Sequence, residues 1–312
     1  MYKYLFLLFL IVSSNSIVAQ ENSVAQIKKK VDVPIIAYWQ KGDIWKYIAQ
    51  KGKLTYKGDQ ISSKETTQYD ISCEVIDSNE HSYTLQWVYD AIAFTHENVT
   101  QNTFKQKAAK ALEKQIFTFQ TDEYGRFDTI LNYSNTAKNI REKVQEALKE
   151  ADDLTQFMLK ETLTKQSDYE LMENNFSDVV NYHAYHGYEF RADTSFSYTS
   201  QQENAMGGTI DSQGTSSIKL DEENKSILVI EDTLIPDMDQ IIPQTKKLLM
   251  QLGNVKKKEI DKLINKETSK VEKSERYVFD HEYGLLLEYE HTDTKSFGGD
   301  TTVKFALLKI LN

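Results

Sequence analysis

Two histidines three residues apart, His183 and His186, come nearest in type and spacing to chemistry. On a helix that spacing turns both imidazoles to one face, and Glu173 upstream or Glu189 downstream offers a carboxylate to complete a zinc site. A metal-dependent hydrolase built on this pair is therefore one functional expectation. The pattern departs from H-E-x-x-H, lacking both the four-residue spacing and the intervening glutamate. It also falls at a helix end, where cationic histidines favourably meet the last backbone carbonyls. His81, His96, His281 and His291 fall in turns or strand ends and read as surface residues.

The aromatic residues offer a different chemistry. Trp39, Trp45, Tyr47, Tyr69, Tyr83, Trp87 and Tyr89 all fall in the first run of strands. Lining one concave face, they would hold an acyl chain or stack on sugar rings. Packed inward, they are the core on which a long helix lies. The carboxylates give less. Asp152 and Asp153 are adjacent on a helix and point apart, which is poor geometry for a shared acid–base site, and Asp221-Glu222-Glu223 is a hairpin tip. No G-x-S-x-G, P-loop or G-x-G-x-x-G occurs; Gly207-Gly208 and Gly298-Gly299 are loop glycines. Nothing in the chain calls for a cofactor or gives positive evidence of catalysis.

These residues need elements to position them. From Asn135 to Leu163 the apolar residues Ala137, Ile140, Val144, Ala147, Ala151, Leu154 and Met158 step by three and four, the stripe of an amphipathic helix capped at Ser134 or Asn135. Its other face carries Lys138, Arg141, Glu142 and Lys149 among others and reads as solvated. A second helix is expected from Ser167 or Asp168 to His183, and a short basic one from Phe104 to Gln115. Before them Ile35, Ala37 and Trp39 alternate as a strand, Ile44 to Ala49 forms another, and Thr67 to Val75 and Tyr83 to Tyr89 repeat a period of two. Strands return at Tyr188–Tyr198, Thr209–Leu220 and Ile227–Leu234. Pro236 and Pro243 bracket the entry to a helical pair, and three more strands close the chain. One echo runs through this order: Glu123-Tyr124-Gly125 and Glu282-Tyr283-Gly284 each follow an aromatic strand and precede another, which raises a duplicated half-domain.

The chain as a whole has 312 residues and a formal net charge of −10. That acidity argues against nucleic acid and anionic membranes as partners. Residues 1–19 read as a secretory signal peptide, with Lys3, an apolar run from Tyr4 to Val12 and small residues to a cleavage site after Ala19. The run is too short to span a membrane. Residues 20–32 read as a flexible lead and 33–312 as one α+β domain, with possible halves 33–187 and 188–312. The single cysteine, Cys73, rules out an internal disulfide, and its place among Tyr69, Ile71 and Val75 makes it a buried apolar thiol.

With Trp39-Gln40-Lys41-Gly42-Asp43 before an aromatic strand, Phe279 to Leu287 before the last strands, and an export signal ending Ala19-Gln20, the chain resembles secreted β-rich proteins of Bacteroidota. In architecture it is similar to the lipoprotein-carrier (localisation factor) fold, an antiparallel sheet closed by helices over an apolar cavity. The resemblance implies an exported protein of the periplasm or the exterior. It carries over no functional residue. The combined expectation is α+β, a large curved antiparallel sheet with two helical blocks on one face. Its function is then non-catalytic binding of an apolar ligand or lipid, or of a partner protein, in a cavity of several hundred cubic ångströms. A purely structural or interaction protein of the periplasm is the other alternative.

Overall fold

The computed structural model describes residues 32–97, 107, 110–149, 151, 156, 160, 165–203, 208–251 and 257–311. The leader at 1–19, the first half of the helix expected from Phe104 to Gln115 apart from Lys107, the Asp152-Asp153 pair and the stripe residues Leu154 and Met158 lie outside them, and residues 111–114 of that expected helix form a turn. Among the described residues thirteen strands run as β1 (Asp32–Pro34), β2 (Ile44–Lys57), β3 (Gln60–Asn79), β4 (Ser82–Glu97), β5 (Ile116–Asp122), β6 (Phe127–Ile130), β7 (Glu189–Arg191), β8 (Thr194–Glu203), β9 (Thr209–Leu220), β10 (Ile227–Pro236), β11 (Lys270–Asp280), β12 (Leu285–Phe297) and β13 (Asp300–Ile310). Among the described residues the helices given bounds are α1 (Tyr133–Leu148), α2 (Asp168–Asn175), α3 (Ser177–Tyr182), α4 (Met238–Gln251) and α5 (Lys257–Leu263).

The protein is α+β. Eleven strands form one antiparallel sheet in the order β6-β5-β4-β3-β2-β13-β12-β11-β10-β9-β8, and β1 pairs with β7 in a separate two-stranded sheet. The chain starts the large sheet at its middle, meanders outward from β2 to β6, and returns from the far edge at β8. The last strand, β13, then closes against β2, from Tyr47 opposite Ile310 to Lys57 opposite Asp300. This placement explains why β2 runs to Lys57 and not to Ala49. Its polar second half has little strand signal of its own, but β13 and β3 take up its backbone groups on both sides.

One face of the sheet collects the inward residues of the alternating runs: Tyr47 and Ala49 on β2, Tyr69, Ile71, Cys73 and Val75 on β3, Leu85, Trp87 and Tyr89 on β4. The α1 stripe packs with them, Ala137, Ile140 and Ala147 being buried and Val144 resting on the same cluster. The helix starts two residues earlier than its apolar pattern does. Asn132 stands at its N-cap without a capping bond from its side chain. That side chain instead reaches back to β5, its Oδ1 accepting from the Thr118 amide at 2.9 Å and its Nδ2 donating to the Ile116 carbonyl at 2.8 Å. Arg141, on the face expected to be solvated, bonds the Gln166 carbonyl at 2.7 Å and pairs with Asp168 at 3.2 Å, joining α1 to α2.

The second expected helix is broken in two at Phe176. There the ring is fully buried and stacks on Phe117 of β5, with centroids 4.2 Å apart. A second, smaller cluster joins Leu249 of α4 to Ile260 and Ile264, with Phe297 of β12 packed on it. Pro243 lies inside α4, six residues into it, and not ahead of it.

Candidate functional site

The segment expected as a strand at Ile35–Trp39 belongs to neither sheet. Ile35, Ala37 and Trp39 are buried and Tyr38 is 59% exposed, so the period of two is real, but its partners are turns. The Ile35 amide donates to the Tyr188 carbonyl at 3.0 Å, Ala37 to Tyr124 at 3.1 Å, and Tyr38 to Tyr283 at 3.4 Å. Thus the two Glu-Tyr-Gly turns, between β5 and β6 and between β11 and β12, clamp one extended segment between them. Both glycines have positive φ, +90° at Gly125 and +61° at Gly284, the conformation such turns require.

The histidine pair is fixed by the same turns. His183 Nδ1 lies 2.7 Å from the Gly125 carbonyl and His186 Nε2 lies 2.8 Å from the Gly284 carbonyl. A carbonyl only accepts, so each of those nitrogens carries the proton, and His183 Nε2 and His186 Nδ1 carry the lone pairs. Both of these are buried, and among the described residues neither has a hydrogen-bond partner. Burial first, then the neighbouring His186, holds the His183 imidazole well below the ordinary histidine value. Burial likewise pulls His186 down to about 4, against the opposing pull of the Gly284 carbonyl, Asp122 and the Tyr182 carbonyl. The rings stand 5.2 Å apart. Anchoring one ring N–H on a carbonyl is also how proteins orient metal-binding histidines. Among the described residues no group of three His, Cys, Asp or Glu side chains comes together, whereas zinc takes at least three protein ligands.

The seven aromatic candidates separate into two places. Tyr47 and Trp87 are stacked and fully buried, their centroids 5.9 Å apart, and the Tyr47 hydroxyl lies 3.2 Å from the Leu286 carbonyl. Tyr69 and Tyr89 meet edge-on at 5.3 Å, and the Tyr89 hydroxyl donates to Asp178 at 3.1 Å. Asp178 also pairs with Lys51 at 2.8 Å, so this end of the cluster ties α3 to β2 and β4. Burial raises the Tyr47 and Tyr89 phenols well above their ordinary value, keeping both neutral. These four residues fill the interior.

Trp39 and Trp45 are placed otherwise. They meet edge-on at 5.4 Å and line a pocket of about 400 Å³, whose other walls are Tyr38, Gln40, Asp43, Tyr283 and Leu285. Tyr83 supports the far side of Trp39 at 5.4 Å, its hydroxyl donating to the Ala37 carbonyl at 3.0 Å. The floor is a tight turn. Asp43 accepts from the Gln40 amide at 2.7 Å, the Asp43 amide donates to the Gln40 carbonyl at 3.0 Å, and Gly42 takes a φ of +95°. Two backbone bonds pin the turn to the end of β3, from Gly42 to the Val75 carbonyl and from Val75 to that of Asp43. At the mouth Tyr38 and Tyr283 stand 59% and 64% exposed, while Trp39 is only 5% exposed with its indole N–H buried and unpartnered.

Of the sequence candidates, then, the pocket holds Trp39 and Trp45. Tyr38, Gln40, Asp43, Tyr283 and Leu285 were not among them. The turn signals at Gly42-Asp43 and Glu282-Tyr283-Gly284 marked where they lie, but not that two turns more than two hundred residues apart would face each other across one pocket.

His291 has a partner, Glu275 Oε1 at 3.2 Å, and His281 Nε2 donates to the Lys225 carbonyl at 3.0 Å, partners that their places in the sequence did not indicate. Cys73 is fully buried, and burial raises its thiol far above the usual range, as an apolar thiol requires. Among the described residues no helix is long and apolar enough to cross a membrane.

No protein-family model and no curated protein matches the chain. Among solved structures it is similar to lipovitellin, from a study of lipid–protein interactions in lipovitellin, at 10% identity and a TM-score of 0.44. The match covers 88% of this chain and 25% of that one, so the chain spans about a quarter of the lipovitellin chain's length.

Proposed function

We propose that this is a non-catalytic binding protein of the cell envelope, exported on its Met1–Ala19 leader, which seats a small ligand with an apolar face in the Trp39–Trp45 pocket. The observation that carries the reading is the make-up of the pocket. Two indoles, two phenol rings and Leu285 wall a volume of about 400 Å³, inside the usual range for small-molecule sites. The polar groups at the pocket, Gln40 and Asp43, can add hydrogen bonds to such a ligand.

The test is saturation-transfer NMR with three probe classes (octanoate, neutral oligosaccharides and indole) against the wild type and Trp45→Ala. At least one class should give saturable transfer that Trp45→Ala removes. Silence from every class, or transfer that the substitution leaves intact, overturns the reading.

A further inference from the structure

Resting on that reading of the pocket, we infer that its ligand is a neutral saccharide, one sugar unit of a glycan whose chain leaves through the open mouth. A pyranose has an apolar C–H face and a rim of hydroxyls, and the pocket carries a complement to each. For the face there are the rings: the part-buried Trp45 as a wall, with Tyr38 and Tyr283 at the rim, 59% and 64% exposed. Large, rigid rings with a polar tip bury contact area at small entropic cost.

For the hydroxyls there are the Gln40 carboxamide and the Asp43 carboxylate, and among the described residues neither the Gln40 side chain nor the second Asp43 oxygen has a hydrogen-bond partner.

An acyl chain fits these groups poorly. It brings no hydrogen-bonding partner along its length, so covering Gln40, Asp43 and the two phenols would strip them of water and return no hydrogen bond in its place. Charge sharpens the choice further. A uronic acid or a phosphorylated sugar would bring an anion against Asp43 in a protein of net charge −10. A neutral sugar meets no such repulsion.

Isothermal titration of the mature protein with cellohexaose, maltohexaose, xylohexaose, oligogalacturonate and octanoate tests the inference. One of the neutral oligosaccharides should bind, at least tenfold more weakly in Tyr283→Ala and below detection in Trp45→Ala, with both variants keeping the wild-type circular dichroism. Oligogalacturonate should bind at least tenfold more weakly than the best neutral sugar, and Asp43→Asn, which still accepts from the Gln40 amide, should narrow that gap. Octanoate binding that needs Trp45, with every saccharide silent, overturns the sugar and leaves the pocket standing. Saccharide binding that survives both substitutions, or no binding of any probe, overturns the pocket as well.

Discussion

Gly125 and Gly284 each serve two purposes, which gives the residue scale its sharpest tests. Each turns its hairpin with a positive φ, and each presents its carbonyl to one buried histidine. At Gly284 a Cβ would fall 2.1 Å from the Ile36 carbonyl oxygen, a backbone atom that cannot swing aside. Gly42 has a positive φ but nothing within 4 Å of its Cβ position. Gly284→Ala should therefore cost about 3 kcal/mol or more, against about 1 kcal/mol for Gly42→Ala, where only the backbone strain applies. Calorimetric melting of the two variants checks this, and equal losses would mean the segment beneath Gly284 is not clamped.

The histidines add a pH dependence at the same scale. Both imidazoles are held below the ordinary value of 6.5, His186 at about 4, so the unfolded chain takes up these protons first as the pH falls. Stability present at pH 7 is lost from about 6.5 downward, continuing to about pH 4 for His186, and that residue alone accounts for roughly 3 kcal/mol of it. Urea midpoints measured from pH 7.5 to 4 should fall steeply in the wild type and less so in His186→Asn. A profile that the substitution leaves unchanged would show the ring is not buried neutral.

At the scale of elements, one carboxylate on α3 reaches two strands of the sheet at once. Asp178 lies 2.8 Å from the Lys51 ammonium on β2 and accepts from the Tyr89 hydroxyl on β4. Burial acts to lower the Lys51 ammonium, but Asp178 and Tyr69 together outweigh it and leave it raised. Asp178→Ala strands a half-buried cation and should cost about 3 kcal/mol, as breaking a buried pair does. Lys41→Ala, which removes an exposed pair with Asp77, should leave the melting temperature nearly unchanged. Similar melting temperatures for the two variants would show that Asp178 contributes little to holding α3 on the sheet.

The elements were legible wherever one face is buried and the other wet. The stripe from Ala137 to Ala147, the alternation from Tyr69 to Val75, and the strand Thr209–Leu220 stand where their pattern put them, although the helix ends at Leu148 and Ala151 lies in a bend beyond it. The misreadings share one cause, partners remote in sequence. Gln50–Lys57 is a strand because β13 pairs with it, Ile35–Trp39 is not one because three turns take its amides, and Phe176 breaks a helix to reach Phe117.

For the whole molecule, the arrangement that matters is that chain order and sheet order differ. The sheet opens and closes at its centre, with β2 beside β13 and β12 next, and this brings the Trp39–Trp45 corner against the β11–β12 turn. Neither half of the chain contains the pocket. Residues 38–45 supply its floor and indoles, and Tyr283 and Leu285 supply its opposite wall. The site was thus half legible: the two tryptophans announced themselves as an aromatic cluster, whereas the facing wall depends on the closing of the sheet.

Hydrogen exchange of the mature protein, followed by mass spectrometry with and without the tightest binder among the probes, bears most directly on this account. Protection is expected in two separate peptides, around residues 36–45 and around residues 281–287, with the remainder of the sheet unchanged. Protection on β8–β10, with those two peptides exchanging as fast as before, would contradict it.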